Sequence, residues 1–457
     1  MTKLFKLKLI ALAISSTLIT ACGDAQTNIV EKDPIETPDD GHGDGHDHGD
    51  EYTINSLGRL AVLAGNSNEA SIFDLDDNVL LDSFSLVNSS NTLSASPDFR
   101  YAVINSRAQD YLGFIDGGLW REDHGAHLHD YEQAPVWSSY ELTTASRPTH
   151  LVNYDGKLAV FFDGDAQSGT TASVSVLTDN DISNATPTLP SISYNINMHG
   201  VAQPRGEHLL STIRRDDAQS SSNAKVLPDQ VGVYHLHDGE YELEQTLSVT
   251  CPDLHGAAQN HDYIAFGCRD GVLLAHQHDN EYDAGKIINI DAIGDARIGT
   301  LYGHEHSDTF IGIASGVFVS INPIDAEMEA LEWQLDEGVS AVSYSFSANG
   351  EQFLVLDNSG FLNVLEVHAH DGHTHWELAG KVDITAEDVS TMPDGMKFSM
   401  TVAQNGHFAY VADPIAQHVV KVHLDDLEIE GELKLTFPPA AITWLGIAQE
   451  EEHDHVH

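Results

Sequence analysis

Histidine is the residue whose number and spacing in this sequence point most directly to chemistry. The 457 residues include 27 histidines. Three of them, His124, His127 and His129, lie within the short run from Asp123 to Asp130. Residues two apart on an extended strand project from the same face, so the rings of His127 and His129 are expected to be neighbours. Imidazole nitrogen is a common ligand of zinc and other transition metals, and this run therefore predicts a metal site. A polar loop with no bound ion is the alternative.

A second set of histidines recurs at one position of a repeated pattern. Its members, each six or seven residues before a predicted tight turn, are His150, His199 and His255. If each begins the innermost strand of successive units in a ring, the three rings face one channel at one level. Three imidazoles at one level suit the tetrahedral ligand set of zinc. Histidines that line a channel without binding metal are the alternative for any one of them.

The remaining histidine clusters lie in polar segments. We predict that they bind metal weakly and exchange it quickly, because mobile ligands must be ordered before they bind. The run from Asp39 to Glu51 carries the three for which we expect low-affinity metal capture: His42, His46 and His48. Further clusters fall between residues 368 and 375, in the tail after 450, and in the pairs His235/His237, His276/His278 and His304/His306. Several of these are also interpretable as ordinary solvated loops.

The amino-terminal residues have the layout of a secretory signal peptide. Lysines precede an apolar run from Leu9 to Ala21, which is too short to span a bilayer. The run ends in Leu18-Ile-Thr-Ala-Cys22, which resembles a lipobox, and we expect Cys22 to be acylated after cleavage. A plain signal peptide with a chance cysteine is the alternative. The predicted location is the periplasmic side of the membrane, with the lipid anchor as the only membrane contact.

Two cysteines remain in the predicted exported part, Cys251 and Cys268. Disulfides persist in oxidising compartments, so we expect these two to form one, on what look like adjacent strands. Two thiolates bound to a metal are the competing interpretation, which the oxidising surroundings disfavour.

The charge of the chain excludes several classes of partner. There are 71 acidic and 21 basic residues, which gives a net charge of -50. Nucleic acids and anionic lipid headgroups are therefore not expected to bind. The same electrostatic field attracts cations and basic protein surfaces.

The elements that position these histidines are predicted to be strands. Short runs rich in Val, Ile, Leu, Phe and Tyr alternate with turns, and no helical stripe of useful length is present. Turns recur near positions 98, 156, 206, 262, 308, 350 and 406, at a spacing of roughly 42 to 58 residues, which is typical of β-propeller blades. The run from Leu57 and the strand near Ala441 are each incomplete and together predict one composite closing blade. We expect an all-β propeller of seven blades, with one unit miscounted; eight blades and a two-sheet sandwich are the alternatives.

The predicted domain organisation has four parts. Residues 1–21 form the signal peptide and residues 22–53 a lipidated, disordered, His/Asp-rich tether that binds metal. Residues 54–449 form the β-propeller, and residues 450–457 form a His-rich tail.

Several motifs, taken together, resemble the periplasmic zinc metallochaperones of the AztD type. They are Asp123 to Tyr131, Arg147-Pro-Thr-His150, Phe161-Phe-Asp-Gly164, His199-Gly-Val201, Cys251-Pro-Asp-Leu-His-Gly256 and Cys268. The resemblance implies a β-propeller that carries Zn²⁺ and delivers it to the solute-binding protein of a zinc ABC importer. It also implies His124, His127, His129, His199 and His255 as the leading ligands. The lipobox and the histidine tail depart from that family.

The residues by themselves predict metal binding but not delivery. Copper or nickel would be satisfied by the same ligands. A hydrolytic propeller enzyme, with a metal-activated water and Asp163, Asp165 or Asp123 as the base, is one competing function. A scaffold propeller that only buffers metal is the other. No nucleophile elbow, phosphate loop, haem-attachment motif or dinucleotide fingerprint is present in the sequence, which favours a binding protein over an enzyme.

Overall fold

The fold consists almost entirely of β-strands. The structure is a computed structural model, and it describes residues 28–36, 56–124, 127–214, 226–370 and 373–449. The predicted signal peptide, the lipidation site Cys22, the capture residues His42, His46 and His48, and the His-rich tail lie outside the described residues.

The described chain contains 36 strands. Those of the amino-terminal half are β1 (Val30–Glu31), β2 (Ile35–Glu36), β3 (Arg59–Ala64), β4 (Glu69–Asp74), β5 (Val79–Ser85), β6 (Thr92–Ala95), β7 (Tyr101–Ser106), β8 (Tyr111–Asp116), β9 (Leu119–Asp123), β10 (His127–Glu132), β11 (Val136–Leu142), β12 (Pro148–Tyr154), β13 (Lys157–Phe162), β14 (Ser173–Leu177), β15 (Ser191–Ser193), β16 (Ala202–Arg205), β17 (His208–Ile213), β18 (Gln230–His237) and β19 (Glu240–Thr246). Those of the carboxyl-terminal half are β20 (Ala257–Gln259), β21 (Tyr263–Cys268), β22 (Gly271–His278), β23 (Glu281–Ile288), β24 (Thr300–Tyr302), β25 (Phe310–Ala314), β26 (Val317–Asn322), β27 (Glu327–Ala330), β28 (Ala341–Phe346), β29 (Gln352–Asp357), β30 (Phe361–His370), β31 (His373–Asp383), β32 (Ser399–Val402), β33 (Phe408–Asp413), β34 (His418–His423), β35 (Glu428–Lys434) and β36 (Pro439–Leu445).

Eight four-stranded antiparallel sheets form the blades of a β-propeller in the described part of the chain. From the innermost strand outward, blade 1 is β36-β3-β4-β5 and blade 2 is β6-β7-β8-β11. Blades 3 to 8 each use four consecutive strands, starting at β12, β16, β20, β24, β28 and β32. The composite blade expected from the sequence is confirmed, because β36 pairs with β3 from the other end of the chain.

Hydrophobic packing closes the ring. Eight clusters of buried side chains each join two neighbouring blades, including one between blade 8 and blade 1. The preferred count of seven blades is therefore wrong. All seven turns found in the sequence belong to genuine blades, and the composite blade is the eighth, so no unit was miscounted.

The middle strands of the blades are apolar on both faces because each face packs against a neighbouring blade. In β13, Val160 packs in the cluster shared with blade 2, whereas Phe161 packs in the cluster shared with blade 4. Side chains alternate between the two faces of a strand, so a nearly continuous apolar run is required at such a position. The sequence Leu-Ala-Val-Phe-Phe in this strand is fully buried.

Part of the predicted disordered tether is paired with the propeller, which corrects the prediction for residues 28–36. The strands β1 and β2 pair with β10, on the edge opposite β9. The backbone N–H of Lys32 donates to the carbonyl of Asp130 at 2.9 Å, and its ammonium lies 2.6 Å from Glu132. The open backbone groups of β10 give this polar segment hydrogen-bond partners without the need for a core of its own.

Helical structure is limited to short elements in the described ranges. One α-helix, α1 (Asp179–Ser183), begins after the capping residue Thr178, and two 3-10 turns span Arg107–Gln109 and Val389–Thr391. None of these is long and apolar enough to cross a membrane.

The two cysteines of the folded part form a disulfide, as predicted. Cys268 ends β21, but Cys251 lies in the loop before β20 rather than on a neighbouring strand. The bond therefore joins a loop to a strand of blade 5, and both sulfurs are buried in the cluster between blades 4 and 5.

Candidate metal centres

The two faces of the propeller carry different histidine clusters. We call the face on which the innermost strands begin the start face. The opposite face, which carries the turns between innermost and second strands, is called the turn face. Because the strands of a blade alternate in direction, the third strand of each blade ends on the turn face.

The channel cluster consists of His150, His199 and His255 on the start face. His150 is the third residue of β12, and the other two lie in the loops just before β16 and β20. The structure thus brings together one imidazole from each of blades 3, 4 and 5, as the sequence pattern predicted. Their ring centroids are 4.8 to 5.7 Å apart, and one nitrogen from each lies within 4.8 Å of the others.

Two neighbours fix the orientation of these rings. Nδ1 of His199 lies 3.1 Å from Oδ2 of Asp163, and the same carboxylate oxygen accepts a hydrogen bond of 2.7 Å from Arg107. Nδ1 of His255 donates to the backbone carbonyl of Gly299 at 2.8 Å. In both rings the contact at Nδ1 leaves Nε2 with the lone pair that a metal binds.

The surroundings favour the uncharged form of two rings of the channel cluster, those of His150 and His255. Burial, together with the rings of His199 and His255, lowers the pKa of His150 to about 4. Burial also lowers the pKa of His255, although its hydrogen bond to Gly299 opposes the shift. Burial would raise the pKa of the Asp163 carboxyl, but the hydrogen bond from His199 and the one from Arg107 hold it below its usual range. Neutral imidazoles beside a carboxylate are the form that binds a cation.

The channel cluster is accessible from one side. His255 lines a surface cavity of about 1080 Å³ whose walls include Arg297 and Gly299. His199 keeps 30% of its side-chain surface exposed. An ion can therefore reach the three rings without any rearrangement of the blades.

The hairpin cluster consists of His124, which follows β9, and of His127 and His129 in β10. Their ring centroids lie 4.6 to 5.8 Å apart, and one nitrogen from each lies within 4.8 Å of the others. His129 is buried, and its Nδ1 lies 2.9 Å from Oε1 of Glu31 in β1. His124 is exposed and lies 3.5 Å from Glu122. The pairing of β1 with β10 thus supplies a carboxylate to this cluster.

The two clusters are separate. The pair β9-β10 follows β8, the third strand of blade 2, and so leaves the propeller on the turn face. The channel cluster lies on the start face. The sequence left open whether this segment folds into the channel or forms a second site, and the structure shows that the segment does not fold into the channel.

Two of the three carboxylates considered as bases for an enzyme, Asp163 and Asp165, are engaged in ion pairs. Asp163 contacts Arg107 and His199, and Asp165 lies 3.2 Å from Arg147. Asp123 ends β9, beside the hairpin cluster. Asp163 therefore acts as an orienting group for His199 in this arrangement.

Sequence reasoning missed one group of potential ligands. His208, His235 and Glu244 converge on the outer part of blade 4, with one donor atom from each within 4.8 Å of the others. Of these, only His235 was noted, as one of a pair in a polar loop. His208 and Glu244 carry no local motif, because they come from different strands and meet only through strand pairing.

Known proteins resemble this chain in sequence and in fold. The chain is 24% identical over 357 residues to the zinc chaperone AztD of Citrobacter koseri, which corresponds to 75% of this chain and 76% of that protein. The crystal structure of Citrobacter koseri AztD matches with a TM-score of 0.69 at 21% identity, over 86% of this chain and 99% of that chain. This chain resembles AztD in sequence and in fold.

Other comparisons add only to the fold. Apo AztD from Citrobacter koseri matches with a TM-score of 0.68, at the same identity and coverage. The dihydro-heme d1 dehydrogenase NirN matches with a TM-score of 0.54 at 12% identity, over 86% of this chain and 76% of that chain. No protein-family model matches the chain. The curated relative named here is a chaperone, in keeping with the sequence-based preference for a binding protein over an enzyme.

Proposed function

We propose that the protein is a zinc metallochaperone, anchored on the periplasmic side of the membrane, that passes zinc to the solute-binding protein of a zinc ABC importer. One observation carries the proposal: three imidazoles from three successive blades converge, two of them oriented through Nδ1 by Asp163 and Gly299. Zinc is the cargo in this scheme. The resemblance to AztD supports the choice of zinc and the transfer step.

The donor set fits zinc. Zinc binds imidazole nitrogen at about 2.0 Å in a tetrahedron, so two ligand nitrogens in such a site are about 3.3 Å apart. Nε2 of His150 lies 3.2 Å from Nε2 of His199. A water or a donor from the acceptor protein would complete the set. An open fourth position permits an incoming ligand to take the ion before the chaperone ligands have all released it.

The hairpin cluster is proposed as a second site of the same kind. Its position on an added strand pair, with His124 exposed, makes it the more accessible of the two. We propose that the capture residues His42, His46 and His48 supply it with zinc, since the paired residues 28–36 bring the base of the tether to β10.

Competitive zinc titration of the full mature chain tests the binding step. The variants are His199→Gln with His255→Gln, and His127→Gln with His129→Gln. His407→Gln is the matched control, because His407 is an exposed ring paired only with Asp425. Each pair of substitutions should remove one tight zinc ion, and the control should remove none. Unchanged zinc binding in both double variants would overturn the proposal.

A transfer assay tests delivery. The zinc-loaded protein is mixed with the metal-free solute-binding protein of a zinc importer, in the presence and absence of a chelator that captures free zinc. Transfer that persists in the chelator is expected, since it requires contact between the two proteins. Transfer abolished by the chelator would show that the protein only stores zinc.

A further inference from the structure

The outer part of blade 4 holds a third convergence of metal ligands, separate from the channel and hairpin clusters. His208 is the first residue of β17 and lies directly opposite His235 in β18. Their ring centroids are 4.7 Å apart with an interplanar angle of 27°. The pairing of β18 with the next strand, β19, shifts register between Val233 and Tyr234 of β18. Glu244 of β19 is the extra residue at this bulge. Bulges of this kind redirect a side chain out of the regular ladder.

The bulged carboxylate points at the histidines. Oε1 of Glu244 lies 3.4 Å from Nδ1 of His235 and 3.1 Å from Nε2 of His237. The donor atoms of His208, His235 and Glu244 all lie within 4.8 Å of one another. Two ligand atoms of a tetrahedral zinc ion are about 3.3 Å apart, so these donors must move by roughly 1 Å to bind one. The side chain of Glu244 is exposed and can make such a movement. Glu207 lies 3.4 Å from Nε2 of His235 and adds a second negative charge.

His208 supplies an independent sign that a ligand is expected here. Its side chain is 4% exposed, and its Nε2 has no hydrogen-bond partner within the described residues. Buried polar atoms in folded proteins are nearly always paired, and an unpaired one costs about 1 to 3 kcal/mol. The ring of Tyr282 from blade 5 packs edge-on against His208, at a centroid distance of 5.4 Å.

We propose that His208, His235 and Glu244 form a third transition-metal site, with His237 as an additional donor. Two imidazoles and a carboxylate are a ligand set that zinc takes in proteins. The site lies on the turn face, because His208 follows the innermost strand β16 whereas His199 precedes it. The length of β16 with its flanking residues separates this third site from the channel cluster by roughly 20 Å. One blade thus carries a metal site at each end.

The other histidine pairs on the turn face provide a matched comparison. His276 and His278 end β22 as His235 and His237 end β18, in the next blade. There, however, His276 stacks on Tyr263, and His278 lies 3.7 Å from Asp283. No buried third donor joins them among the described residues. His278→Gln is therefore a control that removes an equivalent imidazole without removing a site.

The experiment uses the full mature chain with the other two clusters disabled by His127→Gln, His129→Gln, His199→Gln and His255→Gln. Zinc binding by this parent is compared, by chelator competition, with that of the parent carrying Glu244→Gln, His235→Gln or His278→Gln. Histidines outside the described residues are present in the parent and in every variant, so the zinc that they bind does not affect the differences between them. Glu244 is exposed at the edge of the blade, so its substitution does not threaten folding.

We expect Glu244→Gln and His235→Gln each to lower the affinity of the parent for its most tightly bound zinc ion by about tenfold or more. Loss of a ligand should cost at least as much affinity as loss of an outer hydrogen-bond partner. His278→Gln should leave it unchanged. A zinc-edge anomalous map of parent crystals should show a peak between His208 and His235. Equal affinity in all three variants, or no peak, would overturn the third site. The outcome does not depend on the channel cluster, so the proposed chaperone function stands or fails separately.

Discussion

Asp163 holds His199 by its Nδ1, at 3.1 Å, while Nε2 of the same ring faces His150 at 3.2 Å. The carboxylate is itself fixed by Arg107. These contacts set the tautomer of His199, a proposed zinc ligand, while Arg107 and Asp163 stay on the side of the ring away from Nε2.

Substitution of Asp163 should therefore weaken zinc binding at the channel cluster. Asp163→Asn keeps the shape but removes the charge that favours an Nδ1–H tautomer in His199, and removal of such an outer partner costs about 10- to 100-fold in metal affinity. Chelator competition with the hairpin ligands replaced would measure the effect. Asp165→Asn, next to the site but paired with Arg147, is the control and should change nothing. Equal affinities for the two variants would contradict the orienting role.

The pH dependence of zinc binding should be shallow. An ordinary histidine has a pKa near 6.5, so a site of three ordinary imidazoles loses roughly a thousandfold in affinity for each pH unit well below that value. The pKa of His150 is lowered to about 4 and that of His255 is also lowered, so fewer protons compete with the ion. Between pH 6 and pH 5 a site of three ordinary imidazoles would lose roughly 500-fold in affinity, and the channel cluster should lose less than about 100-fold. A fall of several hundredfold in a pH-resolved titration would refute this.

The disulfide should support one ligand in particular. His255 follows Cys251 by four residues, and its backbone N–H donates to the carbonyl of Gly267, next to Cys268. Replacement of both cysteines by serine should loosen the His255 loop and lower zinc affinity at the channel cluster, while the hairpin cluster keeps its affinity. The bond spans 17 residues, so the free energy of unfolding should fall by about 3 kcal/mol. Denaturant melts and zinc competition measure the two effects; equal loss at both clusters would indicate a general destabilisation instead.

A buried acid in blade 3 should make stability depend on pH. Burial and the nearby Asp98 raise the pKa of Asp179 to about 7, although Ser96 donates a hydrogen bond to it. An acid whose pKa rises on folding contributes stability that is complete below its unfolded value near 4 and is lost as pH rises towards 7. Asp179→Asn should therefore stabilise the fold by about 3 to 4 kcal/mol at pH 8 and have little effect at pH 4, since each unit of pKa corresponds to about 1.4 kcal/mol. Thermal unfolding at both pH values checks this; equal effects at the two would contradict it.

The sequence predicted the elements that repeat. The turns, the composite blade and the convergence of His150, His199 and His255 all follow from a pattern that recurs in every blade, so one alignment of units sufficed. The blade count failed because the repeat length varies, and unequal loops between strands made one genuine unit look spurious.

The features that the sequence did not reveal depend on contacts between distant residues. Glu31 reaches His129 only because β1 adds to an open edge of β10, and its local sequence is polar and unpatterned. His208 meets Glu244 through two strand pairings and a bulge. Neither register nor bulges can be read from spacing along the chain.

The composite blade also determines when the ring can close as the chain is synthesised. The strand β36, from Pro439 to Leu445, is the last strand of the described residues and yet the innermost of blade 1. Until this strand has been synthesised, blade 1 lacks its innermost strand and the ring of blades cannot close. All three histidines of the channel cluster precede this strand in the sequence, so the ligands that we propose for zinc are all present while the ring is still open.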